Sequence, residues 1–126
     1  TEHHPHKLKE VIPVNTISLK FLLDHIDWDV FPFVEHLKTD CEGNDYNVIY
    51  SLGDYLEKVV FITCEITDKI SHNNTPDISE FLHYMIDGGF RSFAPVALGM
   101  TELKLVNSRF VKDVKKYNLS CETLGL

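Results

Sequence analysis

Glycine is scarce in this chain and never arranged as Gly-x-Gly. The six glycines stand at positions 43, 53, 88, 89, 99 and 125. A glycine-rich turn that lets the backbone approach a ligand closely is therefore excluded within these residues. Cysteine is also sparse. Cys41, Cys64 and Cys121 form an odd set with no zinc-like spacing, so neither a disulfide framework nor a structural zinc site is expected. Small reduced thiols in a reducing, cytoplasmic compartment are the expectation. Positive charge is in deficit: 12 Lys and Arg against 19 Asp and Glu give a net charge of -7. That balance argues against a nucleic-acid backbone as main partner. No apolar run approaches the ~20 residues that a membrane-spanning helix needs. The first residues, Thr1-Glu2-His3-His4-Pro5-His6, lack a signal-peptide pattern. No internal repeat or low-complexity segment is present.

What is present reads as one domain of ordinary composition, with hydrophobic residues at 44% and charged residues at 25%. Residues 1 to 10 are expected to form a flexible arm, in which His3, His4 and His6 offer a weak alternative as metal ligands. Val11 to Thr16 reads as a short strand that Pro13 confines to an edge. Ser18 is placed to cap a helix over Leu19 to Ile26. Asp27 to Pro32 is a connector, with Trp28, Phe31 and Phe33 expected to pack it onto the domain or to cover a pocket. Val34 to Thr39 reads as a strand, Asp40-Cys41-Glu42-Gly43 as an acidic turn, and Asn44 to Leu56 as a helix. Val59 to Ile66, VVFITCEI, lacks alternation and so predicts a strand buried on both faces. Thr67 to Pro76 is a polar loop. Ile78 to Ile86 reads as a helix that Gly88-Gly89 ends. Phe90 to Val96 and Glu102 to Asn107 predict two strands joined so briefly that they must pair antiparallel. A short helix is expected over Ser108 to Tyr117, and residues 118 to 126 as a tail. Alternating strands and helices of this kind predict an α/β sheet, parallel at first.

The chemistry concentrates where the strand Val34 to Thr39 ends. Acidic side chains beyond the C-terminal end of a buried strand are what an α/β enzyme places over its sheet. Asp40 and Glu42 lie in that turn, and Glu65 lies near the end of the neighbouring strand. Three readings stay open for these residues alone. They could serve catalysis, they could form only a turn whose carboxylates favour the helix start, or they could hold a divalent cation through oxygen ligands. His36 reads as a satisfied core or interface histidine, and nothing pairs His25, His72 or His83.

Leu37-Lys38-Thr39-Asp40-Cys41-Glu42-Gly43, a strand ending in Leu-Lys-x-Asp-x-Glu-Gly before an acidic helix start, resembles the FkbM family of S-adenosylmethionine-dependent methyltransferases. Other pieces follow in the family's order: Val14 to Leu23, Ile62 to Ile66 with Glu65, Phe81 to Phe90 with Gly89-Phe90, and Thr101 to Asn107. Asn44 and Thr39 depart from the family's usual Ala after the glycine and Ile before the aspartate. The resemblance spans about residues 11 to 110 and implies the second half of a Rossmann-like methyltransferase sheet ordered 3-2-1-4-5-7-6. Strands 3, 4, 5, 6 and 7 would be supplied by residues 11 to 117, a partial methyltransferase-like domain. The family's glycine-rich cofactor loop belongs to the half not matched, so a truncated domain is expected. Strand 4 then has an open edge, which invites homodimerisation or pairing with a missing N-terminal half. By this resemblance Asp40 and Glu42 are the catalytic candidates and Asp40 and Glu65 the cofactor-binding ones. S-adenosylmethionine is the implied cofactor, and a small molecule or sugar hydroxyl the implied acceptor. A non-catalytic partial domain that pairs through its open sheet edge is the alternative.

Overall fold

A computed structural model describes residues 9–67, 75–113, 115 and 117–126. His3, His4, His6 and His72 lie outside the described residues. The elements run α1 (Leu19–Leu23), β1 (Val34–Lys38), α2 (Asp45–Tyr50), a 3-10 helix (Gly53–Lys58), β2 (Val59–Glu65), α3 (Ile78–Asp87), β3 (Phe90–Ser92), β4 (Glu102–Asn107) and α4 (Cys121–Leu124). The fold is a small α/β unit with a mixed sheet in the order β1-β2-β4-β3. β1 and β2 run parallel, with Leu37 opposite Ile62. β4 is antiparallel to both β2 and β3, so the brief link between the last two strands has the consequence the sequence predicts.

The core lies on one sheet face. Ile62, Cys64, Leu103 and Leu105 supply its floor, and Tyr46, Ile49, Leu52, Phe81, Leu82 and Met85 cover it from the helices. Tyr46 and Phe81 stack with centroids 4.2 Å apart. Full burial of such side chains is worth about 1.5–3 kcal/mol each. Side chains alternate along a strand, so His36, Phe61, Thr63 and Lys104 share the other face. There they line, with Glu35 and Phe93, a shallow depression of about 580 Å³.

The Ser18 cap forms where the sequence places it, and Asp77 supplies a second. Ser18 Oγ accepts from Phe21 N–H at 3.1 Å, and Asp77 accepts from Ser79 and Glu80 N–H at the start of α3. Other expectations are corrected. Val11 to Thr16 forms no strand; Val11 is 78% exposed and Val14 76%. A strand needs a ladder partner, and Pro13 removes one of the donors such a ladder would use. The helix expected over Asn44 to Leu56 breaks after Tyr50, because Gly53 takes a left-handed φ of 55° and restarts the chain as a 3-10 helix. The helix expected at Leu19 to Ile26 stops at Leu23, and the strand expected at Phe90 to Val96 stops at Ser92. Trp28 does pack, stacked on Tyr55 at 5.3 Å, whereas Phe31 and Phe33 are exposed.

No helix forms over Ser108 to Tyr117 among the described residues. Asn107 Oδ1 accepts from Arg109 N–H at 3.0 Å, and its amide donates to the carbonyls of Glu57 and Val59. That side chain holds the backbone in a turn instead of a helix. A helical turn forms later, at α4, where Ser120 caps the start, Gly125 closes the end at φ 77° and Leu124 is buried.

Candidate functional site

β1 and β2 end side by side, and β4 begins beside them. There Lys38, Thr39, Asp40, Glu65, Thr101 and Glu102 line a cleft of about 200 Å³. Each wall has a local cause. Thr39 N–H donates to Thr63 O at 2.9 Å, which carries the β1–β2 ladder one residue past the strand. Ile66 N–H donates to Thr101 O at 2.8 Å and ties the exit of β2 to the entry of β4. Glu65 and Glu102 are direct cross-strand partners, so two carboxylates face the cleft from one register position. Alternation puts Lys38 on the face opposite Leu37, exposed at the cleft's edge. Three carboxylates against one ammonium give the cleft an excess of negative charge, which favours a cationic ligand.

The turn beyond β1 is held from inside. Asp45 is fully buried. Its Oδ1 accepts from the Thr39 hydroxyl at 2.6 Å, and its Oδ2 accepts from Cys41 N–H at 3.2 Å. Glu42 sits at φ 47° and Gly43 at φ 94°. The Thr75 hydroxyl donates to Gly43 O at 3.1 Å. Farther in, the Tyr46 hydroxyl donates to Thr67 O and accepts from Thr67 N–H. Burial pushes the Tyr46 phenol up to about 12, against the pull of those two bonds. Burial also pushes the Cys64 thiol up to about 12, reinforced by the Asp45 and Glu102 carboxylates.

Asp40 and Glu65 meet in the cleft, whereas Glu42 is exposed at the tip of the turn and is not among the lining residues. Sequence reasoning gave no site role to Thr101 or to Glu102, the first residue of the strand expected over Glu102 to Asn107. The signal for Glu102 was its register, since an antiparallel β4 beside β2 must set some residue against Glu65. Of Asp45 the sequence shows only an acidic helix start, not the two bonds its carboxylate makes to Thr39 and Cys41. His36 is exposed on the open sheet face, its Nε2 2.9 Å from Thr63 Oγ1. Among the described residues no group of three or more His, Cys, Asp or Glu is arranged to hold a metal ion, which leaves the divalent-cation reading without a geometry. No helix among them is long and apolar enough to cross a membrane.

No curated protein and no solved structure matches the chain. A family model does, the one described as Methyltransferase FkbM domain, over residues 1–92. That match takes in β1, the acidic turn and β2 with its Glu65, and spans well over half of the chain: the protein belongs to the FkbM methyltransferase family.

Proposed function

We propose that the chain is the second half of a Rossmann-like, S-adenosylmethionine-dependent methyltransferase sheet. The strand order β1-β2-β4-β3, with β4 antiparallel, supports this reading, because it coincides with the 4-5-7-6 portion of that sheet. The carrying observation is the cleft itself, with Asp40, Glu65 and Glu102 gathered beyond the ends of β1 and β2. Ligands of open α/β sheets bind beyond the carboxyl ends of the strands. When bound, S-adenosylmethionine supplies an already activated methyl group on a cationic sulfonium. The residues present suit that charge. Their cleft of about 200 Å³ is below the ~300–1,000 Å³ of whole-ligand pockets, so they suit the cationic end of the cofactor and not its nucleoside.

In this reading Asp40 is the residue that meets cofactor and acceptor. Its exposed carboxylate is free to take the proton of an acceptor hydroxyl as that oxygen is methylated. Glu65 shapes the floor, and Glu42, at the tip, meets an acceptor arriving from solvent. A small molecule or sugar hydroxyl is the acceptor class. The rate comes mostly from holding acceptor and methyl in line. Three free thiols agree with a reducing, cytoplasmic setting. The test is calorimetric titration of S-adenosylmethionine into the chain and into Asp40→Ala. The expected result is binding that weakens at least tenfold in the variant. No heat with a folded wild-type sample would overturn the reading for this chain.

One observation favours a second reading. Among the described residues β1 has a ladder partner on one side only, and the segment before α1 exposes Val11, Ile12, Val14 and Ile17. An unpaired edge and a stretch of exposed apolar residues each suit pairing with a second copy or with further chain.

A further inference from the structure

Asp45 is a fully buried carboxylate that touches neither the cleft nor solvent. Burying an ionised carboxylate is costly unless its oxygens are hydrogen-bonded. Both oxygens here are used, and on the two residues that flank Asp40. Oδ1 takes the Thr39 hydroxyl at 2.6 Å and Oδ2 takes the Cys41 N–H at 3.2 Å. Asp40 therefore stands between two anchored neighbours while remaining exposed itself. The next residue but one, Glu42, holds a left-handed backbone at φ 47°. Such a conformation persists only where its surroundings over-determine it. The surroundings here are the Asp45 carboxylate before it, the Asn44 N–H to Cys41 O bond at 3.2 Å across it, and the Thr75 hydroxyl on Gly43 O after it.

A capping role does not account for this arrangement. The N-cap of α2 is Asn44, whose side chain makes no capping bond, and Asp45 reaches backwards out of the helix to the strand end. We propose that Asp45, acting through the Thr39 hydroxyl and the Cys41 N–H, is the positioning residue that fixes the direction in which Asp40 enters the cleft. The inference rests on the reading of that cleft as the cofactor and acceptor site. Asp45 touches no ligand; its work is to keep the turn from relaxing when the Asp40 carboxylate is loaded.

The experiment uses the full chain with Asp45→Asn, Thr39→Val and Thr39→Ser. Asparagine keeps the shape but turns an NH2 group toward either the Thr39 hydroxyl or the Cys41 N–H. Valine keeps the volume and removes the hydroxyl, and serine restores it. Two readouts are taken on folded samples: S-adenosylmethionine affinity by calorimetry, and by NMR the Cys41 amide exchange rate with the Glu42 backbone coupling. The expected result is at least tenfold faster Cys41 exchange in Asp45→Asn and a shifted Glu42 coupling. Cofactor affinity should fall at least fivefold in Asp45→Asn and Thr39→Val, and return to within twofold of wild type in Thr39→Ser. Full affinity in folded Asp45→Asn and Thr39→Val would overturn the positioning role and leave the methyltransferase reading standing. Absent binding by wild type would instead overturn that reading, and the NMR arm then decides alone: an unchanged Cys41 rate and Glu42 coupling in Asp45→Asn would overturn the positioning role.

Discussion

At Glu42 a charged, non-glycine residue holds φ 47°. The left-handed region costs such a residue roughly 1–2 kcal/mol, while glycine in its place loses about 0.5–1 kcal/mol through its freer unfolded chain. The strain outweighs that entropic loss, so Glu42→Gly should raise unfolding stability by about 0.5–1 kcal/mol in urea titrations. Gly43→Ala, at φ 94°, should lower it by more than about 1 kcal/mol. A loss of stability in Glu42→Gly would mean that the carboxylate itself braces the turn. The same variant, if it leaves methyl transfer to the acceptor unchanged, removes Glu42 from the catalytic candidates. Buried thiol and phenol groups give a second prediction at this scale. Cys64 and Tyr46 are pushed up to about 12 from ordinary values of 9.0 and 10.0. Between those limits the unfolded chain gives up protons that the folded chain keeps, so stability is full below pH 9 and falls as pH rises towards 12. The slope is at most about 1.4 kcal/mol per pH unit for each group. Urea midpoints at pH 8 and pH 10.5 should show the fall, and Cys64→Ala should reduce it. At pH 8 an alkylating reagent should label the exposed Cys41 while Cys64 stays unmodified until the chain unfolds.

Elements differ in how readable they were, and the differences have causes. β2 and α3 were legible locally, since Val59 to Cys64 is a nearly unbroken apolar run and Gly88-Gly89 marks a helix end. Their contacts are among buried apolar groups that stand in order along the chain. The segment Val11 to Thr16 has the same apolar character and no strand, because a strand depends on a neighbour the local sequence does not name. Asn107 misled for a related reason: its side chain reaches the carbonyls of Glu57 and Val59, some fifty residues back in sequence. The cleft was half legible. Asp40 and Glu65 stand at strand ends that periodicity predicts, but Glu102 enters through the β2–β4 register. That register sets two like charges directly opposite, which disfavours the sheet by roughly 0.2–1 kcal/mol relative to a neutral pair. Glu102→Gln should therefore stabilise the fold by a few tenths of a kcal/mol at pH 7 and low salt, an advantage that shrinks as salt is added. If the cleft takes a cation, the same variant should bind S-adenosylmethionine more weakly, so that stability and affinity move in opposite directions. A gain in both would show that the paired glutamates serve no ligand.

For the molecule as a whole, the open question is what its sheet edge and its apolar segment do in solution. β1 carries exposed Glu35, His36 and Lys38, and charged side chains are a common device against edge-to-edge pairing. The segment ahead of α1 has no such protection, with Val11 78%, Ile12 66%, Val14 76% and Ile17 62% exposed. The two features therefore push association in opposite directions, and variants can separate them. In a parallel ladder alternate residues point their N–H groups to opposite sides. Thr39 N–H points to β2, where it meets Thr63 O, so the N–H of His36 points to the open side. His36→Pro removes an outward donor without breaking the β1–β2 ladder, whereas Ile12→Asp with Val14→Asp removes the apolar driving force. Sedimentation of wild type should show self-association that grows with concentration. If the edge is the contact, His36→Pro should return the chain to monomer with its circular dichroism unchanged. If only the aspartate pair does so, burial of the apolar segment drives association and ladder pairing through β1 is abandoned. A wild-type chain that stays monomeric throughout would mean that the charges on β1 prevail, and pairing of identical copies would be abandoned with it.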